Sequence, residues 1–420
     1  MSAAAARRKK QLAKRGANPK APNNDPVESR LSTLLADPTL TEESVAYEAL
    51  QLAQSAVRRN VKIGNFTKAT NVAYTTSYDL LTKSGRVSVS SQLLMVLVQV
   101  LSETHTFCTD EWVTNFNKLD EAYRTALDAD TTMNSNERGR LQRLHLQFLK
   151  KGLKWSNDLG NVRYGNNGLH LLLGNHCWDM SCDDSVVGTE KERLDAVAKK
   201  AQSSTDGDDE DEEEEYLDIG LRNEAVSHYA LAEKVDLILE KLQSLPEPTK
   251  EERKMGHSCA PAQRDALLTR AVLVLLAIEN LRDARTLADT YLKEVEHVAG
   301  RTDAELTKSY LDKKDGKAPS HIIFCCMLIR ICEKDTKTAP LFNWLVRNFG
   351  AELATLHGPE VIKTYTTKIG RVYFDIQPPP SMMNMMENML SGMGGMGGGG
   401  MGGMNPAMMQ QMMASMQGGM

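Results

Sequence analysis

The sequence predicts an all-α fold, an α-solenoid of stacked antiparallel helix pairs of the TPR-like kind. Three observations carry this. About a dozen segments place apolar residues at helical spacing, and none alternates as a half-buried strand would. Short Gly-, Asn- and Ser-bearing turns separate them, so consecutive helices must double back on one another. Hydrophobic residues make up 41% of the 420 but aromatics only 5%, which suits helices packed through Leu, Ala and Val. The strict 34-residue tetratricopeptide consensus is absent, so the expected repeat is structural rather than textual. A solenoid of this length offers extended surfaces for partners.

Residues 1–40 carry Arg7, Arg8, Lys9, Lys10, Lys14, Arg15 and Lys20 with no acid in the first twenty, followed by a Pro/Asn-rich stretch. They are expected to be a disordered basic arm with a short helix at 31–36. The ordered chain should begin at Thr41, where Thr41 and Ser44 offer N-caps and Glu42 and Glu43 suit the positive end of a helix dipole. That helix runs to about Arg59 and breaks at Gly64-Asn65. Further helices are predicted at 66–83, 88–103 and 110–129.

The stretch from Gly139 to Met180 holds two helices. The first carries Leu141, Leu144, Phe148, Leu149 and Trp155, the second Leu169, Leu172, Leu173 and Trp178, and a turn rich in Gly and Asn joins them. Later helices are predicted near 190–202, 221–244, 262–278, 281–298, 303–311, 321–333, 340–349 and 359–374. The Pro-bearing segment 246–260 leaves room for one small β-hairpin insertion. The organisation is therefore 1–40 arm, 41–205 first half of the solenoid, 206–215 acidic loop, 216–376 second half, and 377–420 disordered Pro/Met/Gly-rich tail.

Composition excludes several classes. A net charge of −5 argues against a general nucleic-acid binder. No apolar run approaches the ~20 residues a membrane helix needs, so no direct membrane insertion is expected. Seven scattered cysteines and no apolar stretch behind the basic N-terminus point to a reducing compartment, the cytosol. No phosphate-binding loop, dinucleotide fingerprint, nucleophile elbow or HExxH motif is present, so the chain is not expected to be an enzyme or to hold a cofactor. His176, Cys177 and Cys182 lie close together but lack zinc spacing, and a helix end with a packed Cys is the expectation. Cys325, Cys326 and Cys332 sit in an apolar helix, where a free Cys behaves as a small hydrophobe.

Charge and methionine patterning leave interaction features. Arg58, Arg59, Lys62 and Lys68 form a local basic cluster, either a solvated face or a docking patch for an acidic protein surface. The run 206–215 holds nine acids and no base. It reads as a solvated loop or as one side of an electrostatic contact. Fifteen of the 21 methionines follow Ile376, among Gly and Gln. Such a tail is either low complexity without a task or an adaptable apolar tether.

Particular motifs resemble one family. Phe148-Leu149-Lys150-Lys151-Gly152-Leu153-Lys154-Trp155-Ser156, then Gly168-Leu169-His170-Leu171-Leu172-Leu173 and Trp178, resemble the central helix pair of the Golgi-to-ER traffic protein 4 family, with Gly152 where another small residue is usual. Tyr47-Glu48-Ala49-Leu50-Gln51 resembles its opening helix, and Pro340 to Leu345 a later segment. Tyr365 through Ile369-Gly370-Arg371-Val372-Tyr373-Phe374-Asp375 to Pro379 resembles its closing motif, with Asp375 where Gly is usual.

The resemblance covers roughly 41–380 in one consistent order. It implies a non-enzymatic adaptor in the guided entry of tail-anchored membrane proteins to the endoplasmic reticulum. The first half would dock a targeting ATPase, with Tyr47, Glu48, Gln51, Arg58 and Arg59 on that side. The second half would hold a ubiquitin-like adaptor, with Tyr365, Ile369, Tyr373 and Phe374 nearby, and through it a TPR co-chaperone. A larger quality-control scaffold is a further implied partner. Two other readings stay open. One is a helical scaffold subunit of another large assembly, proteasome-lid-like, which would end in a winged helix with strands. The other is a chaperone whose Met-rich tail binds apolar clients.

Overall fold

The computed structural model describes residues 26–188, 217–245, 264–294, 320–334, 336–357 and 359–377. Two units are distinguished, Met1–Phe374 and Asp375–Met420, and every helix described belongs to the first. Among the described residues there is no strand. Fifteen α-helices follow in order: α1 Pro26–Ala36, α2 Glu43–Lys62, α3 Phe66–Thr82, α4 Val87–Glu103, α5 Asp110–Ala129, α6 Ser135–Leu159, α7 Asn167–Ser181, α8 Asp184–Val187, α9 Leu217–Leu231, α10 Val235–Ser244, α11 Arg264–Ala277, α12 Leu281–Glu294, α13 Ser320–Cys332, α14 Ala339–His357 and α15 Pro359–Phe374.

Through the first half each helix packs on its successor and on the next but one. Helix α2 touches α3 and α4, α3 touches α4 and α5, α4 touches α6, and α5 touches α7. This pattern is what stacked helix pairs produce, because each pair buries an apolar face that it cannot cover alone. The stack continues as α7 packs on α9 and α9 on α11. Helix α11 is enclosed further, by α9, α10, α12, α13, α14 and α15. Its residues are buried all round, Arg270 alone being half-buried. A helix apolar on every side can only be a core helix.

Local chemistry sets the helix ends. Thr109, Asn134 and Asn166 cap α5, α6 and α7, each side chain accepting a backbone N–H of the first turn. Gly64 (φ 78°) closes α2, with Asn65 N–H donating to Asn60 O and Gly64 N–H to Val61 O. The same paired bonds close α4 at His105, α9 at Glu233 and α11 at Glu279, with φ of 49°, 56° and 70°.

Four expectations need correction. Helical structure is already present at Pro26, ahead of Thr41: α1 and the 3-10 turn Pro38–Thr41 bury Leu31 and Leu40 against α2. Glu28 of α1 also accepts from buried Asn60 at 3.0 Å and pairs with Lys68 at 2.5 Å. Helix α2 has Glu42 as its N-cap with no side-chain cap bond, because Thr41 is taken into the preceding turn. The predicted single helix 221–244 is two, α9 and α10, broken where Glu233 takes a left-handed conformation. Helix α14 extends to His357, beyond the predicted Phe349. The predicted helices at 190–202 and 303–311, the hairpin at 246–260, the acidic run and the tail from Pro378 lie outside the described residues.

Candidate partner interfaces

Possible catalytic clusters come first, because the interior is rich in titratable groups. Buried Asp120 of α5, His145 of α6 and His176 of α7 form one network, which half-buried Arg124 of α5 extends to exposed Asp179 of α7. Arg124 Nε lies 3.0 Å from Asp120 Oδ2, and its Nη1 donates to Asp179 Oδ2 at 2.9 Å. His145 Nε2 lies 3.3 Å from Asp120 Oδ1. The His145 ring is stacked on Tyr123 at 4.1 Å and meets His176 edge-on at 4.5 Å. Burial pushes the Asp120 carboxyl up to about 6, against the pull of Arg124. Burial also holds His145 well below its usual value and His176 at about 4. His145 and His176 are therefore neutral, closed off from solvent and packed among helices. The arrangement fixes helix register and offers no surface for a substrate.

The cysteines behave similarly. Cys177 is buried inside α7, and burial raises its thiol pKa above the ordinary value. Cys325, Cys326 and Cys332 are buried in α13. Cys182 is the exposed C-cap of α7. Among the described residues no cluster of three or more His, Cys, Asp or Glu could hold a metal ion.

The surface is more informative. Along α2, Tyr47, Gln51, Ser55, Arg58 and Lys62 are exposed at helical spacing and share one face. Glu48 and Arg59 flank it, and Glu48 pairs with Arg30 of α1. The face ends at the α2–α3 corner, where Ile63 and Phe66 are 69% and 43% exposed. A basic stripe thus runs into an apolar corner. Lys68, grouped with this cluster on sequence, is neutralised by Glu28. The five residues carried over to the first half by resemblance lie on or beside this face. Ile63 and Phe66 were missed, because an apolar pair at a helix junction reads as core until burial is known.

The closing residues divide. Ile369 and Phe374 are buried, the latter stacked on Phe342 of α14 at 4.6 Å, so neither side chain is open to a partner. Tyr365 and Tyr373 are half-buried, and the Arg270 guanidinium lies 4.9 Å from the Tyr365 ring. Burial moves the Tyr373 phenol up to about 12. The open apolar surface here belongs to Leu341 and Trp344 of α14, 55% and 42% exposed, and to Val372 of α15. Leu341 and Trp344 stood in a segment already singled out. Their spacing matches that of buried Phe342 and Leu345, so only the fold separates outward from inward.

With this geometry established, similarity to known proteins is direct. Protein GET4 of Arabidopsis thaliana is 24% identical over 318 residues, covering 72% of this chain and 78% of its own length. The crystal structure of C. therm. Get4 aligns over 89% of this chain and 97% of that one, at 18% identity and a TM-score of 0.45. The family model described as Golgi to ER traffic protein 4 matches residues 64–393, more than half of the sequence. The chain belongs to the Golgi to ER traffic protein 4 family.

Proposed function

We propose that the chain is a non-enzymatic adaptor of the cytosol. It bridges a targeting ATPase to a ubiquitin-like adaptor and its TPR co-chaperone, in the delivery of tail-anchored membrane proteins to the endoplasmic reticulum. Family membership across 64–393 is the observation that carries this reading. The surface agrees with it. The buried histidines of the interior are enclosed, whereas Ile63 and Phe66 at the α2–α3 corner and Leu341, Trp344 and Val372 on α14 and α15 are among the exposed large apolar side chains, with Phe107 and Val162 exposed elsewhere. No helix among the described residues is long and apolar enough to cross a membrane.

In this reading Tyr47, Gln51, Arg58 and Lys62 meet the ATPase, with Glu48 and Arg59 beside them and Ile63 and Phe66 as the apolar anchor. The ubiquitin-like adaptor covers Leu341, Trp344 and Val372, while Tyr365, Ile369, Tyr373 and Phe374 hold α15 in place beneath it. A larger quality-control scaffold is a further partner in this reading. Holding two partners on one body raises their mutual concentration without any bond being made or broken. The test pairs two variants. Charge reversal at Arg58 and Arg59 should weaken ATPase binding and leave the ubiquitin-like adaptor bound. Leu341→Ser with Trp344→Ser should do the reverse. Variants that keep their fold and lose neither partner would overturn the assignment.

A further inference from the structure

Helices α2, α4 and α6 form one layer. Arg140, near the start of α6, donates from Nη2 to Ser88 Oγ, near the start of α4, at 3.3 Å. At the opposite ends Trp155 Nε1 donates to Thr106 O at 2.8 Å, and Cys108 N–H to Leu159 O at 3.2 Å. Helices α4 and α6 are therefore parallel and in register along their length. Corners at Gly64 and Gly85 reverse the chain twice between α2 and α4, so these two run parallel as well. Their starts are level: Arg86 Nε donates to Thr41 O at 3.0 Å, and Arg140 lies within electrostatic reach of Tyr47. Arg58, Gln99 and Lys151 each stand eleven residues beyond Tyr47, Ser88 and Arg140, about 16 Å at 1.5 Å per residue. They make a row across the layer.

Each helix turns one stripe outward. On α2 it is Tyr47, Gln51, Ser55, Arg58 and Lys62; on α6 it is Arg140, Arg143, Gln147, Lys151 and Lys154. Between them α4 offers exposed Gln92 and Gln99, with Met95 and Val96 half-buried. The face is thus a basic rail on each side of an uncharged floor, the rails about 20 Å apart at two helix spacings. Glu137 neutralises Arg140 at 2.6 Å. Arg58, Lys62, Arg143, Lys151 and Lys154 are exposed and have no acidic partner among the described residues. Glu103 and Asp158 stand at the far end of the face, and Glu103 accepts from Gln99 at 2.7 Å. Helix α5, outside this layer, exposes Asp110, Glu111, Glu121 and Asp128 against Lys118 alone. The positive charge therefore belongs to this face and not to the whole first half. Like charges gathered so closely repel one another, and an acidic surface laid across them relieves that repulsion.

We infer that the ATPase-docking surface on α2 extends across α4 to α6, with Arg143, Lys151 and Lys154 as its second basic rail. This rests on the ATPase being the partner of α2. The acidic surface that docks spans both rails, and its centre lies over Gln92, Met95, Val96 and Gln99. The second rail is salt-sensitive, with a screening length of about 10 Å at 0.1 M.

Binding of the full chain to a purified tail-anchored-protein targeting ATPase, at ~0.05 M and ~0.5 M salt, tests this. Arg143→Gln with Lys151→Gln and Lys154→Gln should weaken binding about tenfold at the lower salt, as expected of three exposed charge pairs, and far less at the higher. Lys118→Gln with Lys234→Gln and Lys363→Gln, exposed bases outside the layer, changes the net charge equally and should leave the affinity almost unaltered. In the complex Lys151 and Lys154 should be shielded from amine acetylation, while Lys118 stays reactive. Equal effects of the two triple variants, or Lys151 and Lys154 that remain reactive in the complex, overturn the second rail and leave docking on α2 standing. A wild-type chain that binds no ATPase overturns instead the reading on which the rail rests.

Discussion

His170 and His228 meet nitrogen to nitrogen, Nδ1 to Nδ1 at 2.9 Å, across the contact between α7 and α9. His170 Nε2 faces Tyr164 O at 2.8 Å and must donate there, so its Nδ1 accepts and His228 Nδ1 donates. The contact therefore cannot form with both rings protonated. Burial lowers both values, His228 to about 3 with His170, Lys150 and Arg270 adding to the effect.

Stability should fall on acidification. His145, His170, His176 and His228 all have lowered values in the fold. Above about pH 7.5 both folded and unfolded chains are neutral at these rings, and no cost arises. As pH drops through 6.5 the unfolded chain gains protons that the folded one refuses, at up to about 1.4 kcal/mol per pH unit for each ring. Asp120, raised to about 6, opposes this between about 6 and 3.8, because there the folded chain holds the extra proton. Urea midpoints at pH 5.5 should lie clearly below those at pH 7.5; equal midpoints would contradict the buried neutral network.

Gly152→Ala should destabilise the chain despite a gain in helix propensity. A Cβ at Gly152 would lie 2.5 Å from Phe116 Cε1 and 3.1 Å from its Cζ. That ring is fully buried and stacked between Phe148 at 5.0 Å and Trp155 at 5.7 Å, so it has nowhere to go. Propensity favours Ala by about 1 kcal/mol, while overpacking costs about 1–3 kcal/mol. Chemical denaturation should show a net loss, largely recovered when Phe116→Leu is added.

Glu233→Gly should stabilise the α9–α10 corner. Glu233 sits at φ 56°, and its N–H donates to Ala230 O at 3.0 Å whatever its side chain. Glycine adopts that conformation without the strain of a Cβ, a gain of about 0.5–1 kcal/mol after its entropy cost. Thermal unfolding reads the difference, and a lowered midpoint would show that the Glu233 side chain contributes more than its backbone strain costs.

Much of the architecture was legible because helical spacing and turn chemistry agreed. Helix α5 at Asp110–Ala129 and helix α15 at Pro359–Phe374 match their predicted ends, each being bounded by residues that stop or start a helix. The α9–α10 break was not legible, since Ala232-Glu233-Lys234 contains no Gly or Pro and the closing bonds are all backbone. Only the second half of α1, residues 31–36, was read from the sequence; its first turn is fixed by Glu28 meeting Asn60 of α2 and Lys68 of α3. At the candidate interfaces, the basic stripe on α2 could be read from spacing. The outward turn of Ile63, Phe66, Leu341 and Trp344 could not, because an apolar residue shows which way it faces only once neighbouring helices are placed. Asp375 gives the reverse case: where the family usually has Gly, φ is 52°, in the left-handed region that Gly favours.

The most direct measurement of the adaptor role is reconstitution. The purified chain is mixed with a tail-anchored-protein targeting ATPase and an immobilised ubiquitin-like adaptor, at low salt. The account predicts that the ATPase is retained only when the chain is present, and that charge reversal at Arg58 and Arg59 releases the ATPase while the chain stays bound. Equal ATPase retention with and without the chain, or mutually exclusive binding of the two partners to it, would contradict the account.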